Sequence, residues 1–314
     1  RSIYFDKYPF LRNVSVKRFM SGRGCPYNCT FCFNHSLVKV YRGKGKYVRR
    51  RSPENFVREI KEVMAKYGGR TISFSDDTFV LDEKWLYEFL DLYKKEVDIP
   101  FVCTIRGDLV TEEMARRLKE ANCLTGCMGV ETGNDLIRNK LLRKGASNEQ
   151  IINAAKWIKD QGIYLKTFNI TGLPGETLDN LYETAELNRK IRSDMPSGTF
   201  FIPFPGLELT HYSQDEGYLD KNFDFNSAIS ENKWSNSSLA LNHKNEAENM
   251  PAFLYLWAKF PILIPLIKLL IKMPPNRLFK TITNAIYAFR TIKLFNLGYR
   301  ETIFFAIKSR FRLQ

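Results

Sequence analysis

Between about Val14 and Pro205 the chain alternates short runs of β-branched and aromatic residues with longer stretches in which apolar positions recur every three or four residues. The short runs read as strands: VKRFMS (16–21), TISFS (71–75), PFVCTIR (100–106), LTGCMGV (124–130), YLKTFNI (164–170) and TFFIPF (199–204). The longer ones read as helices. In ENFVREIKEVMAKYGG, Phe56, Ile60, Val63 and Met64 share a face, Ser52 and Pro53 supply an N-cap and a first-turn proline, and glycine ends the pattern. Thr111, followed by Glu112 and Glu113, opens another helix and Thr177 a third, because a hydroxyl can accept from a first-turn N–H and acids favour the positive helix end. Strands and helices alternating in this way, joined by right-handed crossovers, predict an α/β chain curling into a partial (β/α)6 TIM-like barrel. In such barrels functional groups gather at the C-terminal ends of the strands.

The alternation stops near Gly206. Residues 207–250 are polar, rich in Asn and Ser and without a clear period, and read as a connecting segment. Residues 251–314 are apolar and basic: eleven Lys and Arg stand against one acid, Glu301, so +10 of the chain's +14 lies here. FLYLWAKFPILIPLIKLLIKM does not read as a membrane span. Lys259, Lys268 and Lys272 interrupt it, Pro261 and Pro265 break it, and its longest uncharged run, 260–267, is far short of the roughly 20 residues a span requires. LFKTITNAIYAFRTIKLF places Leu278, Ile282, Ala285, Phe289 and Ile292 on one stripe with Lys280, Arg290 and Lys293 off it. The expected plan is a linker over 1–15, a core barrel over 16–206, the connection over 207–250 and a basic, mostly helical extension over 251–314. That extension is expected to cap the barrel, with peripheral contact to anionic lipid as the competing role. Nucleic acid is disfavoured, since the basic residues form no recognisable binding module.

A chain of 314 residues with 44% hydrophobic and 26% charged content can bury a large core and is not of disordered composition. Its six cysteines are too few and too unevenly placed for a disulfide framework, and no signal peptide opens it, so a reducing cytoplasm is expected, with the inner membrane surface as a peripheral site. Arg1 in place of a starting methionine, followed by the linker-like SIYFDKYPFLRNVSV, suggests a fragment.

RGCPYNCTFC (23–32) carries Cys25, Cys29 and Cys32 at C-x3-C-x2-C spacing. Thiolates are soft ligands suited to zinc or iron–sulfur clusters, and spacing alone does not choose between them. With His35 the set becomes a Cys3His site for structural zinc, the core of an alternative reading: a zinc-stabilised protein that binds nucleic acid or membrane without catalysis. Three thiolates on a four-iron cluster instead leave one iron open for reaction. Cys103, Cys123 and Cys127 lack a third partner at such spacing and are expected to be buried structural thiols.

C-x3-C-x2-C with the aromatic Phe31 just before its last cysteine resembles the signature of the radical S-adenosylmethionine (radical SAM) enzymes, which carry it after the first barrel strand. The likeness extends from Met20 to Gly206. It implies a barrel of the radical SAM type, a [4Fe-4S] cluster on Cys25, Cys29 and Cys32, and S-adenosylmethionine chelated at the open iron and reductively cleaved to a 5′-deoxyadenosyl radical. Asp76 and Asp77 in SFSDDTF stand where the family commonly has a GGE-like motif facing the methionyl ammonium. Glu131 in GVETGND is implied at the ribose hydroxyls or methionyl moiety, with Arg106 and Lys144 as partners of the methionyl carboxylate or of substrate. FNITGLPGET resembles the fifth-strand adenine motif, with Gly172 and Gly175 allowing close approach and Phe168 replacing the usual first glycine. PFPG (203–206) resembles the sixth-strand segment at the adenine edge.

RGCPYNCTFCFN, RRRSPENFVREI, SFSDDTF and GLPGET together look most like radical SAM proteins with a cobalamin-binding domain ahead of the barrel, a domain without counterpart in these residues. Such relatives include methyltransferases and oxidative cyclases. The resemblance therefore implies a small-molecule or lipid-like substrate and an electron donor such as flavodoxin or ferredoxin, with cobalamin resting on similarity alone.

Overall fold

Six strands, β1 Val16–Phe19, β2 Thr71–Phe74, β3 Phe101–Ile105, β4 Cys123–Glu131, β5 Tyr164–Thr171 and β6 Met195–Phe200, pair in sequence order in one sheet. Every pairing is parallel, as strand–helix–strand crossovers require. The computed structural model describes residues 2–226 and 237–298. β1 and β6 are not paired with each other, so the barrel stays open along one seam.

The connecting helices are α1 Phe33–Tyr41, α2 Pro53–Tyr67, α3 Glu83–Glu96, α4 Glu112–Glu120, α5 Asn148–Asp160 and α6 Leu178–Lys190. Their starts are chemically marked. Ser52, Thr111 and Thr177 accept from the backbone N–H of Asn55, Met114 and Asn180 at 3.3, 3.1 and 3.3 Å. Asp82 does the same for Trp85 at the start of α3. Each such cap is worth about 1 kcal/mol. Phe56 of α2 and Phe89 of α3 close on Phe74 of β2, whose ring stacks on Phe79 at 4.6 Å, giving the aromatic centre of the core.

Several expectations are corrected. The sixth strand is MPSGTF, four residues earlier than TFFIPF (199–204), and Phe201 packs with Leu173 and Leu209. Residues 2–12 hold two single helical turns, and Phe5 meets Tyr67 edge-on at 4.8 Å. The polar stretch 207–250 contains helix α7 Glu208–Asp215 and the start of α8 Lys244–Lys259, while 227–236 lie outside the described residues. α8 runs straight through position 250–251 and covers β6 and α6, burying Met250, Leu254 and Trp257 against Leu181 and Ala185.

α9 Ile264–Leu270 and α10 Arg277–Leu294 follow, and the expected tail helix is present over the described part of 251–314. Its orientation reverses the expected one. Leu278 and Phe289, on the stripe expected to pack, are 65% and 66% exposed, whereas Phe279 and Leu294 are buried. Polar contacts explain the choice. The Tyr287 hydroxyl accepts the free N–H of Gly198 on edge strand β6 at 3.3 Å, and Arg290 donates to the Asp194 carbonyl at 3.0 Å. The Leu294 carbonyl accepts from the buried Thr125 hydroxyl at 2.7 Å, so the end of α10 floors the barrel at the start of β4.

Candidate active site

The cysteine turn follows β1 and is tied at both ends. Asp76, buried just beyond β2, accepts from the Ser21 hydroxyl at 2.6 Å, the Gly22 N–H at 2.8 Å and the Ser21 N–H at 3.1 Å. Asp77 accepts from the Gly24 N–H at 3.2 Å. Neither caps a helix, since Asp82 does that. Both aspartates thus shape the turn, and three of the four lone-pair positions on Asp76 are committed to it. Gly24 is obligatory here: its φ is +84°, and a Cβ would stand 2.7 Å from the Tyr47 carbonyl.

Downstream, Thr30 anchors the turn, its N–H and hydroxyl bonding the Leu142 and Leu141 carbonyls at 3.1 and 2.7 Å. Phe31 lies against the cluster of Leu142, Leu173 and Phe201. Cys32 leads into α1. Cys25, Cys29 and Cys32 are all free thiols, the first two buried. Burial pushes the Cys29 thiol up, and the cations of Lys144 and Arg106 pull it back toward the thiolate.

Arg106, just beyond β3, is 6% exposed and links the turn to the fourth strand. Its guanidinium clasps Asp108 through two bonds of 3.0 and 3.1 Å, donates to the Lys144 carbonyl at 2.5 Å and lies 3.4 Å from the Tyr27 ring centre. Lys144 and Glu131, both buried, form an ion pair at 2.7 Å. Glu131 ends β4 after a register shift with φ +66°, a left-handed conformation costly for a side-chain-bearing residue and typical of functional positions. The pair occupies the space above Gly129, where a Cβ would stand 2.2 Å from Glu131 Oε1 and 2.5 Å from Lys144 Nζ.

In β5 the alternation sends Thr167, Asn169 and Thr171 toward α6 and α8, leaving Lys166, Phe168 and Ile170 on the barrel's inner face. Phe168 is in register with Gly129 and 40% exposed, with Lys166 Nζ 5.1 Å from its ring centre and 5.7 Å from that of Phe295. Burial lowers the Lys166 pKa and raises that of its neighbour Cys127 to about 12. Cys103 is likewise held up by its hydrogen bond to Cys123 and by burial. Gly172 and Gly175 both have φ near +70°, but Leu241 and Tyr218 fill the space above them, so backbone conformation is what requires glycine.

Sequence reasoning missed Gly129, Tyr27 and Lys166, and singled out Phe168 only as a replacement for a motif glycine. The glycine two positions before Glu131, on the same strand face, was the available signal for the first. Nothing in the pattern marked Lys166, a cation on an inner wall. His35 stands apart from the thiols: its Nδ1 faces Asn28 Oδ1 at 3.3 Å and its Nε2 faces Glu208 at 3.0 Å. Among the described residues no three His, Cys, Asp or Glu side chains converge as around a single ion.

The Radical SAM superfamily model matches residues 19–187, more than half of the chain. The chain belongs to the radical SAM superfamily. Membership of an enzyme superfamily favours the catalytic reading over the zinc-stabilised, non-catalytic one. Relatives of this radical SAM chain include an uncharacterised methyltransferase of Pyrococcus horikoshii, 31% identical over 66% of the chain and 44% of the relative. The anaerobic magnesium-protoporphyrin IX monomethyl ester cyclase of Rubrivivax gelatinosus is 26% identical over 70% of the chain and 39% of the cyclase. The chain therefore spans less than half the length of these curated relatives. The radical S-adenosylmethionine methyltransferase TsrM of Kitasatospora setae, with cobalamin and a [4Fe-4S] cluster bound, shares the fold at a TM-score of 0.56 and 17% identity, over 67% of this radical SAM chain and 38% of TsrM.

Proposed function

We propose that Cys25, Cys29 and Cys32 hold a [4Fe-4S] cluster open at one iron and that the chain reductively cleaves S-adenosylmethionine to act on a small-molecule or lipid-like substrate. When bound, the cluster supplies the electron that yields methionine and a 5′-deoxyadenosyl radical able to take hydrogen from substrate. The donor set fits such a group: three free thiols on one turn, with Lys144 and Arg106 to offset thiolate charge. The observation that carries the reading is Arg106, which joins the Cys29 thiol, Tyr27 and the Lys144 carbonyl and so fixes the cysteine turn against the Glu131–Lys144 pair.

In this reading Asp77, exposed and with one bond to the turn, is the carboxylate free to meet the methionyl ammonium, while Asp76 holds the loop. Glu131 offers acceptors to ribose hydroxyls, and Arg106 and Lys144 offset the methionyl carboxylate. Phe31, Gly172 and Gly175 shape the wall behind them. Phe168 and Lys166 face the substrate from the inner wall. Electrons come from a carrier such as flavodoxin or ferredoxin. The reaction is methyl transfer, with cobalamin as in the TsrM structure, or oxidative cyclisation; curated relatives are named methyltransferase and cyclase.

Anaerobic reconstitution tests this. The expected protein is brown, binds about four irons per chain, bleaches with dithionite and forms 5′-deoxyadenosine from S-adenosylmethionine. Cys29→Ala should abolish nucleoside formation, and persistence of that product in the variant sinks the reading. His35→Ala should leave the iron content unchanged.

A further inference from the structure

From Phe260 to Leu278 the outward surface has an unusual composition. Ile262, Leu266, Leu269 and Met273 recur at helical spacing and are 87%, 51%, 65% and 48% exposed. The same segment also has an inward side, with Ile267 and Ile271 at 2% and 0% exposure in the cluster that joins α6 and α8. Its outward apolar side chains are therefore additional to those the core requires. The exposed residues between the apolar ones are Lys268, Lys272 and Arg277, with prolines; no exposed residue from 260 to 278 is acidic, hydroxylic or an amide. No acidic residue occurs at all from 249 to 300. A soluble face normally carries mixed charge and does not expose an aligned apolar row.

We propose that this face docks peripherally on an anionic lipid bilayer, with Ile262, Leu266, Leu269 and Met273 entering the headgroup–acyl boundary and Lys272 and Arg277 pairing with lipid phosphates, while Lys268 lies over the rings of Tyr182 and Trp257 at 4.6 and 5.9 Å. Two observations select lipid over other occupants. Exposed cations accompany the apolar row at its C-terminal end, Lys272 beside Met273 and Arg277 just beyond it, the pairing of apolar and basic groups that an interfacial helix uses at a negative surface. A second copy on the same patch would set these cations against their own like charges across a two-fold axis. No helix of the described residues is long and apolar enough to cross a membrane, so contact is along the surface. The docking stands independently of the proposed chemistry and needs neither cluster nor cofactor.

Flotation of the full chain with vesicles decides the matter. It should float with phosphatidylcholine vesicles containing a third phosphatidylserine, weakly with phosphatidylcholine alone, and less as salt is raised. Ile262→Ser with Leu269→Ser should reduce partitioning by about tenfold or more, and Lys272→Gln with Arg277→Gln should remove the preference for anionic vesicles. All four side chains are exposed, so circular dichroism and melting should match the parent. Failure of the parent to float, unchanged flotation of the serine variant, or a dimer that the serine variant dissociates would each overturn the proposal.

Discussion

Gly129 carries a constraint out of proportion to its size. Its missing side chain is the space in which Glu131 and Lys144 meet, so Gly129→Ala should drive the buried pair apart. The expected cost is about 1–3 kcal/mol in denaturant unfolding, the range for overpacking, together with loss of the S-adenosylmethionine-dependent product. Glu176 offers a pH test at the same scale. It is buried, accepts from the Gly172 N–H at 2.6 Å, and burial raises its pKa above the ordinary 4.5 despite His243 nearby. Above that ordinary value the unfolded chain releases this proton while the folded chain retains it, so this group's contribution to stability falls as pH rises from about 4.5 toward the folded value. Glu176→Gln keeps the acceptor and removes the titration. Urea midpoints measured across that range should decline for the parent and stay flatter for the variant. At this scale the cysteines were legible because ligand spacing is local in sequence. The tasks of Asp76 and Gly129 were not, because each depends on a partner brought in by another strand or loop.

Among the elements, helix starts were the most legible, since the side chains of Ser52, Thr111 and Thr177 each cap a backbone N–H just three positions on. β6 was the least. Its sequence, MPSGTF, lacks the β-branched character of a central strand because it lies at the sheet edge with α8 and α10 beside it, while the more apolar TFFIPF is divided between strand and loop. The inward face of α10 escaped reading for a related reason: its attachment runs through Tyr287 and Arg290, which hydropathy assigns to solvent. Tyr287→Phe should leave the Gly198 N–H on β6 without its acceptor, destabilise the fold by about 0.5–1.5 kcal/mol and speed amide exchange at Gly198. An unchanged exchange rate there would show that the hydroxyl does not guard the edge.

For the whole molecule, the barrel and its order of strands followed from alternation alone, because parallel crossovers leave few topologies. What lies over and under the barrel did not. Asp194, at the entry to β6, holds Lys159 at 2.5 Å and Leu165 N–H at 2.9 Å, with Arg290 at 3.8 Å, and so joins α5, β5 and α10 around one carboxylate. The bond from Thr125 to Leu294 joins residues 169 positions apart. A contact of that separation is expected to form late, since closing so long a loop gains nothing until both ends are ordered. The interior would thus pass through a stage with walls but no floor, offering an entry from below for whatever must be built into it before the last helix settles.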